Sequence, residues 1–442
     1  MACTKIIIFG ASGDLTKRKL MPALYKVKSL DFEIIGYSRS DLKDTFKDHI
    51  SKFNVYDEEF LQRVKYISGQ YEDLSGLKEY ITDKTICYLS VPPSLYLCLI
   101  TQLLSLKVRK ICLEKPFGED LQCFMQIYAL QKENKESNLF FIDHYLYKPM
   151  TVAIPVFYKK YEIFKEILQN RYLDSVQIYF KEQLGSEGRA YFEKTGLVKD
   201  VIQNHVGEIL STVANTNVVT RTDLLSKANI VHPNECLFGQ YDEYKKEVMS
   251  QSETETFAMM TITFLEKGWE NIPFVVIAGK GMDEKRVECR FEFTESGSKK
   301  LIDLLSLINP SEVEEYKHFL KNNSFDNTSL VFNYSPENEV YLEIKLEDEY
   351  KKILIFDEQS VLEIMKSKYN DLTDHEIVFD GIIQGKDIGD AKCKEVEYLW
   401  RIFDPKLMDL TNKFITYPKG IDLPKEANDL LRKIIKTYRK KR

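Results

Sequence analysis

The sequence predicts an α/β domain built on a doubly wound parallel sheet, followed by an α+β domain built on a large, mainly antiparallel sheet. The chain has 442 residues, more than one ordinary hydrophobic core accommodates. Its first third alternates continuous apolar runs with helical segments, the pattern of a parallel sheet covered on both faces. In the remaining two thirds, apolar and polar residues alternate with period two, the pattern of antiparallel strands with one buried and one solvent-exposed face.

The strand and helix alternation of the first third is typical of a Rossmann-type domain, which we assign to residues 1–145. The predicted strands are 5–9, 32–35, 65–67, 85–89 and 110–113. Gly10-Ala11-Ser12-Gly13-Asp14-Leu15 follows the first strand and leads into the helical segment 19–25. Glycines at this point let the backbone approach a pyrophosphate that rests on the helix N-terminus. Because the spacing is G-x-x-G rather than G-x-G-x-x-G, a tight turn without a ligand is the alternative.

The end of the second strand predicts the type of dinucleotide. An NAD-binding domain places Asp or Glu there to bind the 2′-hydroxyl of the ribose. Here the sequence is Gly36-Tyr37-Ser38-Arg39-Ser40, and the first acid is Asp41. We therefore expect Arg39 to bind a 2′-phosphate and NADP to be the cofactor. A surface arginine without a ligand is the alternative.

Three further segments place polar groups at the ends of predicted strands. Val91-Pro92-Pro93-Ser94-Leu95-Tyr96 and Leu113-Glu114-Lys115-Pro116-Phe117-Gly118 lie at carboxyl ends, where open α/β sheets bind ligands. Ile142-Asp143-His144-Tyr145-Leu146-Tyr147-Lys148 completes the apolar run 139–142 and concentrates reactive groups. We expect this last stretch to join a nucleotide domain to a substrate domain.

Residues 146–442 are predicted to form the second domain, for substrate binding and dimerisation. A helix is expected at about 150–168, and strands at 175–180, 259–264, 274–277, 287–293, 330–333 and 340–346. One amphipathic helix is clear at 200–213, where apolar residues form a buried stripe. His205 borders this stripe, and a helix histidine with a structural neighbour is the simpler interpretation of that position taken alone.

The composition excludes several classes of protein. The net charge is −6, and the one basic run, Arg439-Lys440-Lys441-Arg442, is expected to be solvated, which argues against binding to nucleic acid or membrane. The eight cysteines contain no C-x-x-C pair, so we expect a reducing compartment and no metal site. The few residues before the first strand leave no room for a signal peptide, and no apolar run approaches the length of a membrane span. A cytoplasmic location is therefore predicted.

Taken together, these segments resemble glucose-6-phosphate dehydrogenases. Family motifs recur in family order from residue 6 to about 290, with scattered echoes beyond, such as 400–405. The segments that carry the resemblance are 10–19, 92–96, 114–118, 142–148, 180–182, 187–189, 199–205, 269–274 and 279–280. The resemblance implies oxidation of D-glucose 6-phosphate at C1 to 6-phospho-D-glucono-1,5-lactone with NADP⁺, a step of the pentose phosphate pathway.

The resemblance also implies a role for individual residues. His205 would be the general base that takes the proton from the C1 hydroxyl, and Asp143 would orient it and stabilise the imidazolium that forms. The implied substrate-binding residues are His144, Tyr145 and Lys148 for the phosphate, Glu182 and Asp200 for sugar hydroxyls, and Lys115, Lys280 and Lys285 for positive charge. The implied cofactor-binding residues are Gly10, Ser12, Gly13, Asp14, Leu15, Arg39, Tyr96 and Lys115.

This chain departs from the family pattern at several positions. The signature glycine is Tyr147, and Pro149 replaces the acid that usually follows the signature lysine. Because proline suits the first position of a helix, Lys148 is expected near a helix N-cap. The second, structural NADP site that animal members of the family carry is predicted to be absent, since several of its basic positions are Ile277, Asn333 and Glu343 here.

Two other functions are alternatives to the one that the resemblance implies. A sugar dehydrogenase of the glucose–fructose oxidoreductase type shares the Rossmann-type domain and the E-K-P motif but does not need the phosphate-binding cluster. A catalytically inactive NADP-binding homologue is the second alternative, which Tyr147 and Pro149 favour. By resemblance, we also expect a homodimer or a dimer of dimers.

Overall fold

The computed structural model describes residues 4–27, 31–187, 190–215, 220–229, 233–308, 328–346, 349–386, 391–404 and 414–442. The chain divides into two compact units. One consists of Met1–Tyr147 and Leu372–Glu397, and the other of Lys148–Asp371 and Tyr398–Arg442. The first unit thus includes Leu372–Glu397, which the sequence-based division at residue 145 assigns to the second domain.

The first unit contains a parallel sheet whose described strands have the order β3-β2-β1-β4-β5-β6. Their bounds are β1 Thr4–Phe9, β2 Phe32–Ser38, β3 Val64–Ser68, β4 Ile86–Leu89, β5 Lys110–Glu114 and β6 Asn138–Ile142. Residues 6–9 of β1 have no accessible surface, as expected for the central strand of a doubly wound sheet. The order reverses between β1 and β4, and open sheets of this kind bind ligands at such a switch point. The predicted fold class of this domain is confirmed.

Helical segments connect these strands and complete the first unit. They are Thr16–Leu20 (a π-helix), Met21–Lys26, Phe46–Ile50, Glu58–Gln62, Ser75–Tyr80, Pro93–Leu95, Tyr96–Ser105, Leu121–Glu133, His144–Tyr147 and Asp374–Gln384. The last of these begins with a capping box, in which Thr373 and Glu376 bond each other's backbone N–H groups. It ends at Gly385, whose φ of +70° is the left-handed conformation that glycine adopts without strain.

The second unit is built on a mixed, mainly antiparallel sheet, as predicted. The described order is β15-β14-β13-β12-β7-β11-β10-β9-β16, with β8 paired to β10. The bounds are β7 Leu173–Glu182, β8 Ala228–Asn229, β9 Leu237–Tyr241, β10 Phe257–Phe264, β11 Phe274–Lys280, β12 Arg286–Phe293, β13 Thr328–Ser335, β14 Glu339–Leu346, β15 Glu349–Phe356 and β16 Phe414–Tyr417. The pairs β7–β11 and β9–β16 are parallel.

The polar face of this sheet is less exposed than period-two alternation predicts. Arg290 in β12 ion-pairs with Glu288, Glu292 and Glu343, and it donates a hydrogen bond to Ser329. Burial disfavours the charge of Arg290, but the three carboxylates raise its pKa above the usual value. Because these long side chains lie along the sheet and cover it, Glu288 is only 2% exposed.

The helices of the second unit agree only in part with the sequence-based expectation. They are Pro149–Lys160, Ile163–Ile167, Ala190–Leu197, Val198–Val206 (a π-helix), Gly207–Val213, Arg221–Ser226, Pro233–Glu235, Tyr244–Glu247, Glu295–Ile308, Glu358–Tyr369 and Lys425–Arg439. The helix Cys393–Phe403 is divided between the units: its residues up to Glu397 belong to the first unit and those from Tyr398 to the second. The helix expected at 150–168 is therefore two helices. None of the helices in the described ranges combines the length and the hydrophobicity that a membrane crossing needs.

The basic C-terminal run is not simply solvated, contrary to expectation. The Arg439 guanidinium ion-pairs with the buried Asp174 through both carboxylate oxygens. Arg442 donates hydrogen bonds to the backbone carbonyls of Asn170, Leu173 and Asp174. These contacts attach the end of the helix Lys425–Arg439 to the start of β7.

Candidate active site

The glycine loop forms a tight turn between β1 and the first helix. The N–H of Gly13 donates to the carbonyl of Gly10 at 2.9 Å, which closes the turn. Gly10 has a φ of +77°, and a Cβ at this position would lie 2.0 Å from the carbonyl oxygen of Ser90. Glycine is therefore required at residue 10 by the packing of β1 beside β4, and the same packing places the loop at the switch point of the sheet.

Side chains of the loop contact the end of β2. Ser12 lies 3.4 Å from Ser40, oxygen to oxygen. Asp14 is exposed and accepts from Lys17 at 3.0 Å and Arg18 at 2.8 Å. Hydrogen bonding to Lys17, together with the neighbouring charges, lowers the pKa of Asp14. Leu15, also predicted to bind the cofactor, is half-buried in this segment.

Arg39 is the first residue after β2, and its side chain is exposed. Its guanidinium lies 5.4 Å from the centre of the Tyr71 ring, a cation–π distance. The carboxyl end of β2 thus presents an accessible positive charge, and the first acid in the sequence is Asp41. These features suit a 2′-phosphate better than a 2′-hydroxyl.

Glu114, at the end of β5, is held from two sides. Its carboxylate accepts the hydroxyl of Tyr88 at 2.5 Å, and its carbonyl accepts the hydroxyl of Tyr96, also at 2.5 Å. Burial raises the pKa of Glu114, while the charge of His375 opposes that rise. Tyr96 has no accessible surface, so its side chain holds the backbone that leads to Lys115 rather than facing solvent. Lys115 is half-buried and precedes a cis peptide bond to Pro116.

The dense polar stretch after β6 folds into a short 3-10 helix, His144–Tyr147. Asp143 is fully buried, and its carboxylate accepts the N–H of Tyr145 at 2.9 Å. His144 and Tyr145 are half-buried. Tyr147 is 2% exposed, and it is not among the described non-glycine residues with positive φ. The backbone here therefore does not need the glycine that the family places at residue 147.

His375 is a residue of this region that sequence reasoning missed. Its ring stacks on the ring of His144, with centres 5.5 Å apart and planes at 24°. Its Nε2 atom is buried, has no hydrogen-bond partner within the described ranges, and lies 3.8 Å from the Glu114 carboxylate. The capping-box pattern Thr373-Asp374-His375-Glu376 predicts a helix start but gives no sign that this helix joins the first unit.

In the second unit, Lys148 is the N-cap of the helix Pro149–Lys160, and Pro149 is its first residue. The backbone of Lys148 is extended, with φ −63° and ψ 142°. This confirms the expected position of the lysine relative to the helix. Proline is accommodated because the first N–H groups of a helix have no intrahelical partner.

Neighbouring strands of the second unit bring Glu182 and Lys280 together. These residues are partners in the parallel pairing of β7 with β11. The ammonium of Lys280 lies 2.5 Å from the Glu182 carboxylate and 3.4 Å from that of Asp200. Lys280 is 4% exposed, so its charge is shared mainly between these two carboxylates. Phe180 lies two residues before Glu182 on the same face of β7.

Asp200 and His205 lie on the π-helix Val198–Val206, where an α-helix was expected. Five residues of α-helix place two side chains about 140° apart around the axis. The i to i+5 bonding of a π-helix instead brings such residues onto one side. The His205 ring stacks on Phe180, with centres 6.4 Å apart and planes at 15°. His205 therefore lies over the sheet face that carries Glu182 and Lys280.

The residue before His205 explains why this segment forms a π-helix rather than an α-helix. The side chain of Asn204 donates to the carbonyl of Lys199 at 2.7 Å and accepts the N–H of His205 at 2.7 Å. These bonds replace backbone hydrogen bonds that a regular α-helix would make. Every residue from 201 to 213 is buried, so this helical segment has no wet face, contrary to the amphipathic helix expected there.

Other predicted site residues lie apart from this cluster or cannot be placed. Lys285 is exposed on the turn between β11 and β12. Gly188 and Arg189 of a family motif lie outside the described residues. Arg286, the residue after Lys285, ion-pairs with Asp422, Glu284 and Glu288.

Two of the three non-basic residues at the positions of the second dinucleotide site are buried. Ile277 is 1% exposed and Asn333 is 6% exposed, and the third, Glu343, ion-pairs with Arg290. The absence of that site stays a prediction.

Comparison with known proteins agrees with the architecture of both units. Residues 7–152 match the family described as "Glucose-6-phosphate dehydrogenase, NAD binding domain", and residues 156–439 match "Glucose-6-phosphate dehydrogenase, C-terminal domain". A glucose-6-phosphate 1-dehydrogenase of Encephalitozoon cuniculi (strain GB-M1) is 38% identical over 439 residues, which cover 97% of this chain and 99% of that protein.

Two solved structures share the fold. A glucose-6-phosphate dehydrogenase in complex with its substrate glucose 6-phosphate is 24% identical, with a TM-score of 0.76 over 98% of this chain and 99% of that one. The enzyme from Mycobacterium avium is 22% identical, with a TM-score of 0.77 over 98% of each chain. With both parts of the sequence matched, the chain belongs to the glucose-6-phosphate dehydrogenase family.

Proposed function

We propose that this chain oxidises D-glucose 6-phosphate at C1 to 6-phospho-D-glucono-1,5-lactone with NADP⁺, the reaction that opens the pentose phosphate pathway. One observation carries the proposal most directly. The π-helix Val198–Val206 holds an imidazole over a sheet face on which a buried ammonium is shared by two carboxylates. A polyol substrate needs carboxylate acceptors for its hydroxyls, and loss of hydride from C1 needs a base.

The residues of this cluster divide by chemistry. His205 takes the proton from the C1 hydroxyl, because imidazole is a base near neutral pH. Glu182 and Asp200 accept hydrogen bonds from sugar hydroxyls. In the absence of substrate, Lys280 offsets one of these two negative charges and so reduces the repulsion between the acids.

The first unit fits a dinucleotide phosphorylated at the ribose. Gly10 and Gly13, which have no side chains, close the turn at the switch point of the sheet, next to a helix N-terminus. Arg39 supplies the exposed positive charge at the end of β2. NADP⁺, when bound, accepts the hydride that C1 releases.

The roles of Asp143, His144, Tyr145 and Lys115 rest on the resemblance and stay predictions. Lys148 has a structural argument of its own. It is the N-cap residue of a helix, and the N-terminal end of a helix favours phosphate. We therefore propose that Lys148 and this helix end contribute to binding of the 6-phosphate.

The proposal is tested by following NADPH production from glucose 6-phosphate, with NAD⁺ and unphosphorylated glucose as controls. We expect turnover with NADP⁺ and the phosphorylated sugar. His205→Asn should lower kcat by about 10²- to 10⁴-fold with unchanged thermal stability. Equal activity on unphosphorylated glucose would favour the glucose–fructose oxidoreductase type of enzyme. NADP binding without turnover of any sugar would favour an inactive homologue.

We also infer a homodimer and a cytoplasmic location, which the resemblance to the family and the cysteine pattern support. Sedimentation equilibrium on the purified chain tests the first, and twice the mass of the 51.8 kDa chain is the expected result. Fractionation of the source cells tests the second. A monomeric mass at micromolar concentration would contradict the dimer.

A further inference from the structure

Glu255 lies outside the cluster of Glu182, Lys280, Asp200 and His205. It contacts the first residue of the π-helix on which Asp200 and His205 lie. Its carboxylate accepts the N–H of Val198, the first residue of the π-helix, at 3.0 Å. Its backbone carbonyl accepts the N–H of Leu197 at 3.1 Å. Glu255 precedes β10 by two residues, so it links a strand of the sheet to the first turn of the π-helix. The two bonds satisfy N–H groups that a helix N-terminus otherwise leaves without partners.

Gly196 makes this approach possible. Its φ of 70° and ψ of 171° lie in a region that is essentially restricted to glycine. A Cβ at residue 196 would lie 2.4 Å from one carboxylate oxygen of Glu255 and 2.6 Å from the other. The carboxylate thus occupies the space that any other side chain would need. The sharp change of direction before the π-helix and the position of Glu255 depend on each other.

The charge of Glu255 has an energetic cost. Burial raises its pKa to about 7, against the bonds from Val198 and Leu197 and the charge of Lys199, which lower it. Among the described residues, Tyr244 also interacts with Glu255; burial is the main cause that raises the pKa of Tyr244, and its hydroxyl donates to Glu193. A neutral side chain would be cheaper to bury here, whereas a carboxylate gives stronger bonds at a helix N-terminus.

We infer that Glu255 is a positioning residue whose ionised carboxylate fixes the first turn of the π-helix and thereby the placement of Asp200 and His205. This inference rests on the proposed function, since it assigns Glu255 to the same reaction. The physical reason is the geometry of the π-helix. If the first turn of the π-helix shifts at Val198, Asp200 and His205 shift with it. A displacement of about 1 Å at a reacting group costs on the order of a hundredfold in rate.

Glu255→Gln tests the inference because it keeps the shape and one acceptor but removes the charge. At pH 8 we expect kcat for glucose 6-phosphate to fall at least about tenfold, with an unchanged KM for NADP. The melting temperature of the variant should not fall, and its advantage over the wild type should grow from pH 5 to pH 8. A residue with only a structural role would give the opposite result: lower stability and an unchanged kcat.

Glu247→Gln is the matched control. Glu247 is a half-buried acid that accepts the hydroxyl of Tyr241 at 2.5 Å and ion-pairs with Lys419. Unlike Glu255, it makes no described hydrogen bond to Val198 or Leu197. We expect this variant to keep the wild-type kcat. An equal loss of kcat in both variants would overturn the inference, because the effect would then not depend on the π-helix.

The backbone amide of Val198 gives a spectroscopic readout on the intact chain. In the wild type its ¹⁵N and ¹H shifts should titrate with a midpoint near 7, and this step should be missing in Glu255→Gln. If the variant does not fold, the wild type still decides: the Val198 amide shifts must titrate between pH 5 and pH 9, and shifts that stay constant over this range would overturn the inference. An inactive wild type in which Val198 titrates would instead refute the proposed function alone.

Discussion

Replacing Lys280 by methionine tests whether the charged cluster of the second unit binds substrate. The substitution removes the ammonium that lies 2.5 Å from Glu182 and 3.4 Å from Asp200. Methionine keeps most of the volume, and the side chain can still pack near Phe192, whose ring centre is 5.0 Å from the Lys280 ammonium. The variant therefore changes charge without creating a large cavity.

The expected cost follows from the burial of the three groups. Removing one partner of a fully buried ion pair costs about 3–5 kcal/mol, and an exposed pair contributes about 0–1 kcal/mol. The Lys280 side chain is 4% exposed, but that of Glu182 is 36% and that of Asp200 is 22% exposed. Water can therefore compensate the acids in part, and we expect a loss of about 2 kcal/mol in the free energy of unfolding. A protein that loses about 2 kcal/mol of stability still stays folded, so this loss alone should leave kcat/KM unchanged. We nevertheless expect kcat/KM to fall about ten- to hundredfold, because a charged hydrogen bond to substrate contributes about 1.5–3 kcal/mol.

The assay compares Lys280→Met with Lys419→Met. Lys419 ion-pairs with Glu247 at 2.9 Å, and its side chain is 35% exposed. The control should lose less than about 1 kcal/mol and keep its kinetic constants. Urea unfolding and initial rates with glucose 6-phosphate measure both effects. If Lys280→Met unfolds as predicted but keeps kcat/KM within twofold of the wild type, the cluster is structural and the substrate role of Lys280 is wrong.

Three further predictions concern the cofactor, the backbone and a buried acid. Arg39→Ala should raise KM for NADP far more than KM for NAD in steady-state assays; equal effects would contradict the 2′-phosphate assignment. Gly196→Ala should lower the free energy of unfolding, measured with urea, by about 2–4 kcal/mol, because a non-glycine residue in this backbone conformation costs about 1–3 kcal/mol and its Cβ clashes with Glu255. The Gly196→Ala/Glu255→Ala double variant should be more stable than Gly196→Ala, since the clash is removed. Tyr88→Phe removes a bond to the charged form of Glu114, whose pKa burial already raises. Without this bond the pKa of Glu114 in the folded state rises further, and an acid with a raised pKa destabilises the fold more as the pH rises. The melting temperature of Tyr88→Phe should therefore fall further below that of the wild type at pH 8 than at pH 5.

Sequence periodicity predicted the strands well where apolar runs are long. Residues 6–9 are fully buried, and only a central parallel strand needs such a run. The strands β8, β9, β15 and β16 were not predicted. β16 has four residues, of which Phe414 is exposed, so burial leaves little pattern in the sequence. The polar face of the large sheet was wrongly expected to be wet, because pairing between Arg290 and its carboxylates is not visible as periodicity.

The site could be predicted by residue type better than by geometry. Lys148 was placed correctly at a helix N-cap because proline restricts its neighbours in a known way. The π-helix was missed, since its apolar residues also fit an α-helical stripe and the bond from Asn204 to Lys199 depends on tertiary burial. His375 was missed because its relation to His144 spans more than two hundred residues of chain.

The return of residues 372–397 to the first unit has a consequence for biosynthesis. The carbonyl of Ile382 accepts the Lys110 ammonium at 2.7 Å, and the N–H of Ala391 bonds to the carbonyl of Phe141 at 3.1 Å on the edge strand β6. During translation the nucleotide-binding unit therefore cannot complete its fold until nearly nine tenths of the chain has left the ribosome. A fragment that stops at residue 147 would leave the edge of β6 open to pairing with other chains and would be prone to aggregate.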